Sequence, residues 1–483
     1  MQKNYKKILF DILPPIFFFI LIFLLDLTFL NLPYFWDAMQ FIPLTKSLVE
    51  NHLNLISMYI QNIFYKISVS AIYEMEPLFL YLILAIFFII LGESIWIFHL
   101  IIIFFGFLTL YFTYLIGSYL YNKKIGFMAS LLLSVFPLFF AQTNTYNWNV
   151  PFTAFMLMTL YFFIKKNKLA YILSSILMVL TVEISVIVIF IIICYILYKN
   201  FNRLSKFKII KNILFFSVPL FIFIIWMLWN KLIFGYFLNP LNVSLFGEFS
   251  FNKFVSKFLA IFIYNNAWIL ISINFIFLIT ILIKRNKKIR IRDETILLLS
   301  IIFGYFLIFS TMPERMAFLI RYALHIYPLL FIFTANSLNN LLKRKTILIL
   351  TVSLLLILFI IDWKGERPFV GGYSESNLRF VDIVKTDQKM TQYIETNFPN
   401  ESILAPWPQC WELSEPSYGY VTKSIKSECV ETFKNLSYFN LVLYSPYSSS
   451  QKEILEIIKT FNLTPIKEFE IYDNRVSLYK LKT

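Results

Sequence analysis

The chain has 483 residues, of which 59% are hydrophobic and only 15% charged, with 56 Phe. Soluble domains hold roughly 45–50% apolar and about 25% charged residues, so this composition describes an integral membrane protein. The net charge of +15 sits in short basic clusters between apolar runs, a pattern that orients helices in a bilayer and argues against nucleic-acid binding.

In chain order, "MQKNYKK" sets the N-terminus on the cytoplasmic side by the excess of Lys, and the apolar run that follows predicts a retained spanning helix, since no small-residue cleavage site ends it. The next stretch, "NLPYFWDAMQFIPLTKSLVENHL", then emerges on the outer side and carries Asp37. Residues 77–92, "PLFLYLILAIFFIILG", are apolar enough to cross. A crossing there would leave Lys123, Lys124, Lys165, Lys166 and Lys168 outside, so an interfacial or re-entrant segment is expected instead. Parity then requires residues 169–198 to be two short helices meeting near Thr181 to Ser185, with Glu183 at the outer tip. One straight helix of that length would exceed the ~30 Å hydrocarbon core.

Apolar runs continue to Ile361, giving about eleven predicted spans. The expected fold is thus an all-α polytopic membrane domain, residues 1–362, followed by a small α/β extracytoplasmic domain, residues 363–483. In the latter, "DQKMTQYIETNF" and "SSSQKEILEIIKTFNL" read as helices, "FNLVLYS" as a strand and "RVSLYKLK" as an edge strand. Cys410 and Cys429 lie there, where an oxidising compartment permits a bridge; two free thiols are the alternative.

Ionisable residues at membrane depth mark sites or pathways, and here the rare polar side chains gather on the outer side. Asp37, Glu74, Glu76, His99, the loop "QTNTYNWN" ending at Asn149, Glu183, and the group Glu314, Arg315, Arg321, Tyr322 and His325 all fall there. Arg321 and His325 are four apart, so in an α-helix they share a face, and a guanidinium beside an imidazole suits phosphate oxygens.

Four stretches resemble the GT-C superfamily of membrane glycosyltransferases, in its protein O-mannosyltransferase and aminoarabinose transferase branch. "WDAMQFIPLTKSL" is similar to the acidic motif and amphipathic helix of the first outer loop and "EPLFLYLILAIFFIILGESIWIFHL" to the Pro-Pro-Leu segment and the helix after it. "NKKIGFMASLLLSVFPLFFAQTNTYNWNVPFTAF" follows the family's cadence, and "RYALHIYPLL" resembles its late Arg-Tyr helix. The resemblance implies an inverting transfer of sugar from a polyprenyl-phosphate donor to an acceptor hydroxyl at the outer face of the cytoplasmic membrane. Asp37 would be the base and Arg321 the phosphate contact, with the donor bound between them.

Tyr322, His325, Arg315, Glu74, Glu76, His99, Asn149 and Glu183 are the surrounding candidates. Two positions depart from the pattern: Asn149 stands where relatives often carry an acid, and Glu76 where some place Lys or His. A Glu at 76 would repel a phosphate unless it bound a divalent cation or faced the acceptor, so the metal reading involves Asp37, Glu74 or Glu76, without a ligand spacing that defines it. No cofactor is otherwise implied. The partners are the donor, a glycan, lipid or protein acceptor, and the lipid bilayer. A polysaccharide polymerase or ligase and a non-catalytic GT-C relative are the alternatives.

Overall fold

The structure is a computed structural model that describes residues 2–54, 79–200, 205–238, 247–263, 266–283, 292–312, 319–365, 375–433, 438–448, 450–472 and 474–481. Glu74, Glu76, Glu314 and Arg315 lie outside the described residues.

Helices dominate up to Lys364. By length and composition, three of the described helices can cross a membrane: Ile95–Leu120, Glu183–Asn200 and Lys345–Lys364. The number becomes five if two bent pairs each count as one span, and the other apolar runs form shorter helices such as Phe79–Leu91, Asn149–Ile164 and Lys168–Val179. The Phe79–Leu91 helix has 13 residues, about 20 Å at ~1.5 Å per residue, which is short of a straight crossing. Many helices carry large apolar side chains on their outer surface, among them Leu232 at 82% and Phe207 at 76% exposure. Water would penalise such surfaces and lipid does not.

The apolar run 169–198 is broken at Leu180 to Ser185, where a 3-10 turn spans Glu183–Ser185 and places Glu183 at its start, half-buried. Its two helices do not pair as a hairpin. Lys168–Val179 packs on Asn149–Ile164, whereas Val186–Asn200 packs on Lys206–Phe216 and Asp293–Phe309. One close helix contact is glycine-mediated: a Cβ on Gly117 would lie 2.8 Å from the Gly126 Cα, so Ile95–Leu120 and Lys123–Ser134 approach backbone to backbone. The second helix is capped by Asn122, whose Oδ1 accepts from the Ile125 N–H at 3.0 Å.

The C-terminal part forms a five-stranded sheet in the order β2-β1-β3-β5-β4, with β1 Ile403–Ala405, β2 Ser427–Cys429, β3 Leu441–Tyr444, β4 Pro465–Ile471 and β5 Asn474–Lys480. β1 runs parallel to β2 and β3, and β5 antiparallel to β3 and β4. The segment expected as an edge strand is therefore an inner one. Its burial alternates only in part, because Val476, Ser477 and Leu478 are all buried between the two neighbours. The helix Arg379–Asn397 covers β4 and β5, and Gln451–Thr460 lies on β3. Cys410 and Cys429 form a disulfide, with Cα atoms 5.2 Å apart, that ties the Gln409–Ser414 helix to β2.

This sheet unit is moored to the first loop after helix Gln2–Asp26. The Tyr34 N–H donates to the Tyr418 oxygen at 3.1 Å, and the Tyr418 hydroxyl donates to the Met39 oxygen at 3.2 Å. Lys46 Nζ reaches Glu93 at 2.9 Å and Ser417 at 2.8 Å, while Trp36 packs edge-to-face on Trp407 with ring centres 5.1 Å apart.

Candidate active site

Asp37 opens the helix Asp37–Glu50, which begins where Trp36 takes a positive φ of 45°. That left-handed turn is unusual for a bulky residue and reverses the chain so that Asp37 stands in the helix's first turn, where the N-terminal backbone amides favour an anion. Arg321 comes from 284 positions further along the chain, in the 3-10 segment Ile320–Ile326 that leads into helix Tyr327–Leu341.

The two meet directly: Arg321 Nη2 is paired with Asp37 Oδ2, and Nη1 with Glu375 Oε2. Asp37 and Arg321, expected on either side of a donor, are brought together, and the guanidinium fork is shared between Asp37 and Glu375. The reason is geometric, since a planar fork satisfies two acceptors at once. The Arg321 Nε–H, also buried, has no hydrogen-bond partner.

The three groups are unequally solvated. The Arg321 and Glu375 side chains are 6% and 7% exposed, and Asp37 is 32% exposed. Removing one member of a buried pair costs about 3–5 kcal/mol, because a bare charge stays behind out of water. Asp37, partly in water, can leave the guanidinium without being stranded out of water, whereas Glu375 cannot. The Glu375 arm is thus the strong one and the Asp37 arm the labile one.

Glu375 also links this centre to the polar loop. Its main-chain oxygen accepts from Gln142 Nε2 at 2.8 Å, and Gln142 Oε1 accepts from Asn147 Nδ2 at 2.8 Å and Asn149 Nδ2 at 3.2 Å. Asn149 Oδ1 is buried without a hydrogen-bond partner. Asn144 Nδ2 donates to Asp26 Oδ1 at 2.6 Å, holding the same loop to the end of the first helix. Tyr322 stacks on Trp148, centres 5.3 Å apart, and lies beside the Arg321 guanidinium.

The remaining candidates are elsewhere. His325 is buried among Phe152, Tyr305 and Phe309. It does not share the Arg321 face because the segment is 3-10: at 3.0 residues per turn, positions four apart diverge by about 120°. His99 lies under the first loop, its Nε2 3.0 Å from the Leu32 oxygen, in a supporting position. Glu183 sits at the helix break, where the Leu180 oxygen accepts from the Phe79 N–H at 3.2 Å. Among the described residues, no group of three or more His, Cys, Asp or Glu side chains is placed to hold a metal ion.

Sequence reasoning missed Glu375 and Asp26. The first sits in "GGYSESN", which reads as a connection, and the second is a lone acid inside an apolar run. An acid in such a run was the available signal for Asp26, since it needs a buried partner.

Over nearly its whole length the chain superimposes on ArnT from Cupriavidus metallidurans. The structure of ArnT bound to undecaprenyl phosphate matches with a TM-score of 0.58 and 12% identity, over 96% of this chain and 97% of that one. The apo structure matches equally, at TM-score 0.58 and 12% identity, over 97% of both chains. The two chains share a fold. A family model described as dolichyl-phosphate-mannose-protein mannosyltransferase matches residues 75–229 of this chain, ending within the Val218–Phe234 helix. No curated protein sequence matches it.

Proposed function

We propose that this protein is an inverting GT-C glycosyltransferase of the cytoplasmic membrane. It moves a sugar from a polyprenyl-phosphate donor to an acceptor hydroxyl at the extracytoplasmic face, where the C-terminal α/β part also lies. The observation that carries this reading is the convergence of Asp37 and Arg321, 284 positions apart, onto one point that Glu375 also reaches. The likeness to ArnT bound to undecaprenyl phosphate supports a lipid-linked donor.

In this mechanism the acceptor oxygen attacks the anomeric carbon as the bond from that carbon to the phosphate oxygen breaks, and polyprenyl phosphate departs. A hydroxyl is a poor nucleophile, so Asp37 takes its proton as the new bond forms. Arg321 stabilises charge gathering on the departing phosphate in a site where fixed donors act strongly. Tyr322 and Trp148 form an aromatic wall beside that cation.

The test is sugar transfer in membranes supplied with polyprenyl-phosphate sugars, comparing wild type with Asp37→Asn at matched expression. Loss of transfer in the variant is expected, and equal transfer by both removes Asp37 as the base. A non-catalytic role is the second reading, favoured by the occupation of both Arg321 terminal nitrogens by carboxylates; absence of transfer by wild type with every donor tried would favour it.

A further inference from the structure

We infer that Glu375 is a positioning residue, which holds the Arg321 guanidinium in place while Asp37 yields its share of that guanidinium to the donor's phosphate. This rests on the polyprenyl-phosphate reading above. Among the described residues the Arg321 guanidinium faces two carboxylates, so this trio carries a net negative charge before an anionic phosphate arrives. Like charges at contact distance repel strongly where water is scarce, so one carboxylate has to give way.

Burial decides which. Asp37, 32% exposed and in the first turn of its helix, is met on release by water and by the helix's backbone amides. Glu375, 7% exposed, would be left charged and dry, and its main chain is further tethered by Gln142. Glu375 therefore keeps Nη1, and the phosphate takes Nη2 together with the Nε–H that has no partner in the structure. The exchange also frees Asp37 to accept the acceptor's hydroxyl proton only once a donor is in place. Donor binding and the readiness of the base become one event.

The experiment is a titration of the detergent-solubilised full-length protein with undecaprenyl phosphate, using wild type, Asp37→Asn, Glu375→Gln, Arg321→Gln and the Glu375→Gln/Arg321→Gln double variant. Glu375→Gln is expected to weaken binding roughly tenfold, the scale of one charged hydrogen bond. Asp37→Asn, which removes the competitor for Nη2, is expected to tighten it severalfold. In the Arg321→Gln background, Glu375→Gln should add nothing, because its effect runs through the guanidinium.

A purely electrostatic role for Glu375 predicts tighter binding in Glu375→Gln, and a merely structural one predicts additive losses in the double variant; either result overturns the assignment. If Glu375→Gln does not fold, Asp37→Asn alone decides, since weaker binding there contradicts the exchange. Wild type that binds no undecaprenyl phosphate overturns the donor reading and this assignment together, whereas wild-type binding unchanged in Glu375→Gln overturns this assignment alone.

Discussion

The Tyr420 hydroxyl donates to the main-chain oxygen of Tyr34 at 3.0 Å, three residues before Asp37 in the same loop. A residue of the C-terminal sheet unit thereby sets the height of the loop that presents the candidate base. Tyr420→Phe removes this bond without changing the ring. We expect a stability loss of about 1 kcal/mol and a larger proportional loss in transfer rate. Hydrogen exchange at Tyr34 to Met39 checks it: faster exchange is expected, and an unchanged pattern means that the Tyr418 bonds alone hold the loop.

Asp37→Asn should lower kcat by about 10²–10⁴, the contribution typical of a positioned general base. Single-turnover transfer measures this without interference from product release. A drop of less than tenfold would assign the proton to another group.

Arg321→Lys preserves charge and loses the fork. An ammonium is a point charge that cannot reproduce the planar pairing with Asp37 and Glu375. A fall in kcat/KM of at least about tenfold is expected, equivalent to about 1.4 kcal/mol. Full activity in Arg321→Lys would show that only the charge matters.

The C-terminal unit contains a buried acid pair away from this centre. Burial pushes the Asp387 carboxyl up from 3.8 to about 7, against the bond from Gln409, and burial with Asp387 beside it pushes Glu412 well above the usual carboxylate range. The folded form thus retains a proton that the unfolded chain releases. The stability gained from Asp387 is fully present below pH 3.8 and is lost as pH rises through about 7, at up to about 1.4 kcal/mol per pH unit per retained proton. Thermal melting from pH 4 to pH 8 should show Asp387→Asn with a flatter decline than wild type. Parallel curves would mean that Asp387 is charged when folded.

The Cys410–Cys429 bridge closes a loop of 19 residues. Its removal in Cys410→Ser/Cys429→Ser should cost about 3 kcal/mol by the loop-entropy relation. Melting with and without reductant measures it: reductant should lower the wild-type transition and leave the double variant unmoved.

Asp37 and Arg321 stood out in the sequence because a membrane chain sets rare charges against an apolar background. The break near Glu183 was legible from length alone. What failed was the reading that depended on local helix type and the contact made by a residue in an unremarkable connecting stretch. The pairing of Arg321 with His325 assumed 3.6 residues per turn where the backbone is 3-10. Glu375 lies 54 positions from its partner in a stretch whose Gly and Ser suggest a passive link, so only three-dimensional proximity reveals it. The strand Asn474–Lys480 looked peripheral because its apolar alternation is common to edge and inner strands alike.

The helix Lys345–Ile361 is almost bare: in its most apolar window only 17% of residues are buried. It delivers the chain to the sheet unit, yet it offers that unit little rigidity. Alignment of the two halves is shared between the apolar packing of Phe380 and Val384 against the membrane helices and the clasp of Tyr418, Tyr420, Lys46 and the shared guanidinium. Severing the covalent strand beside this helix should disturb catalysis less than loosening that clasp, making the helix a leash and the loop contacts the hinge pin.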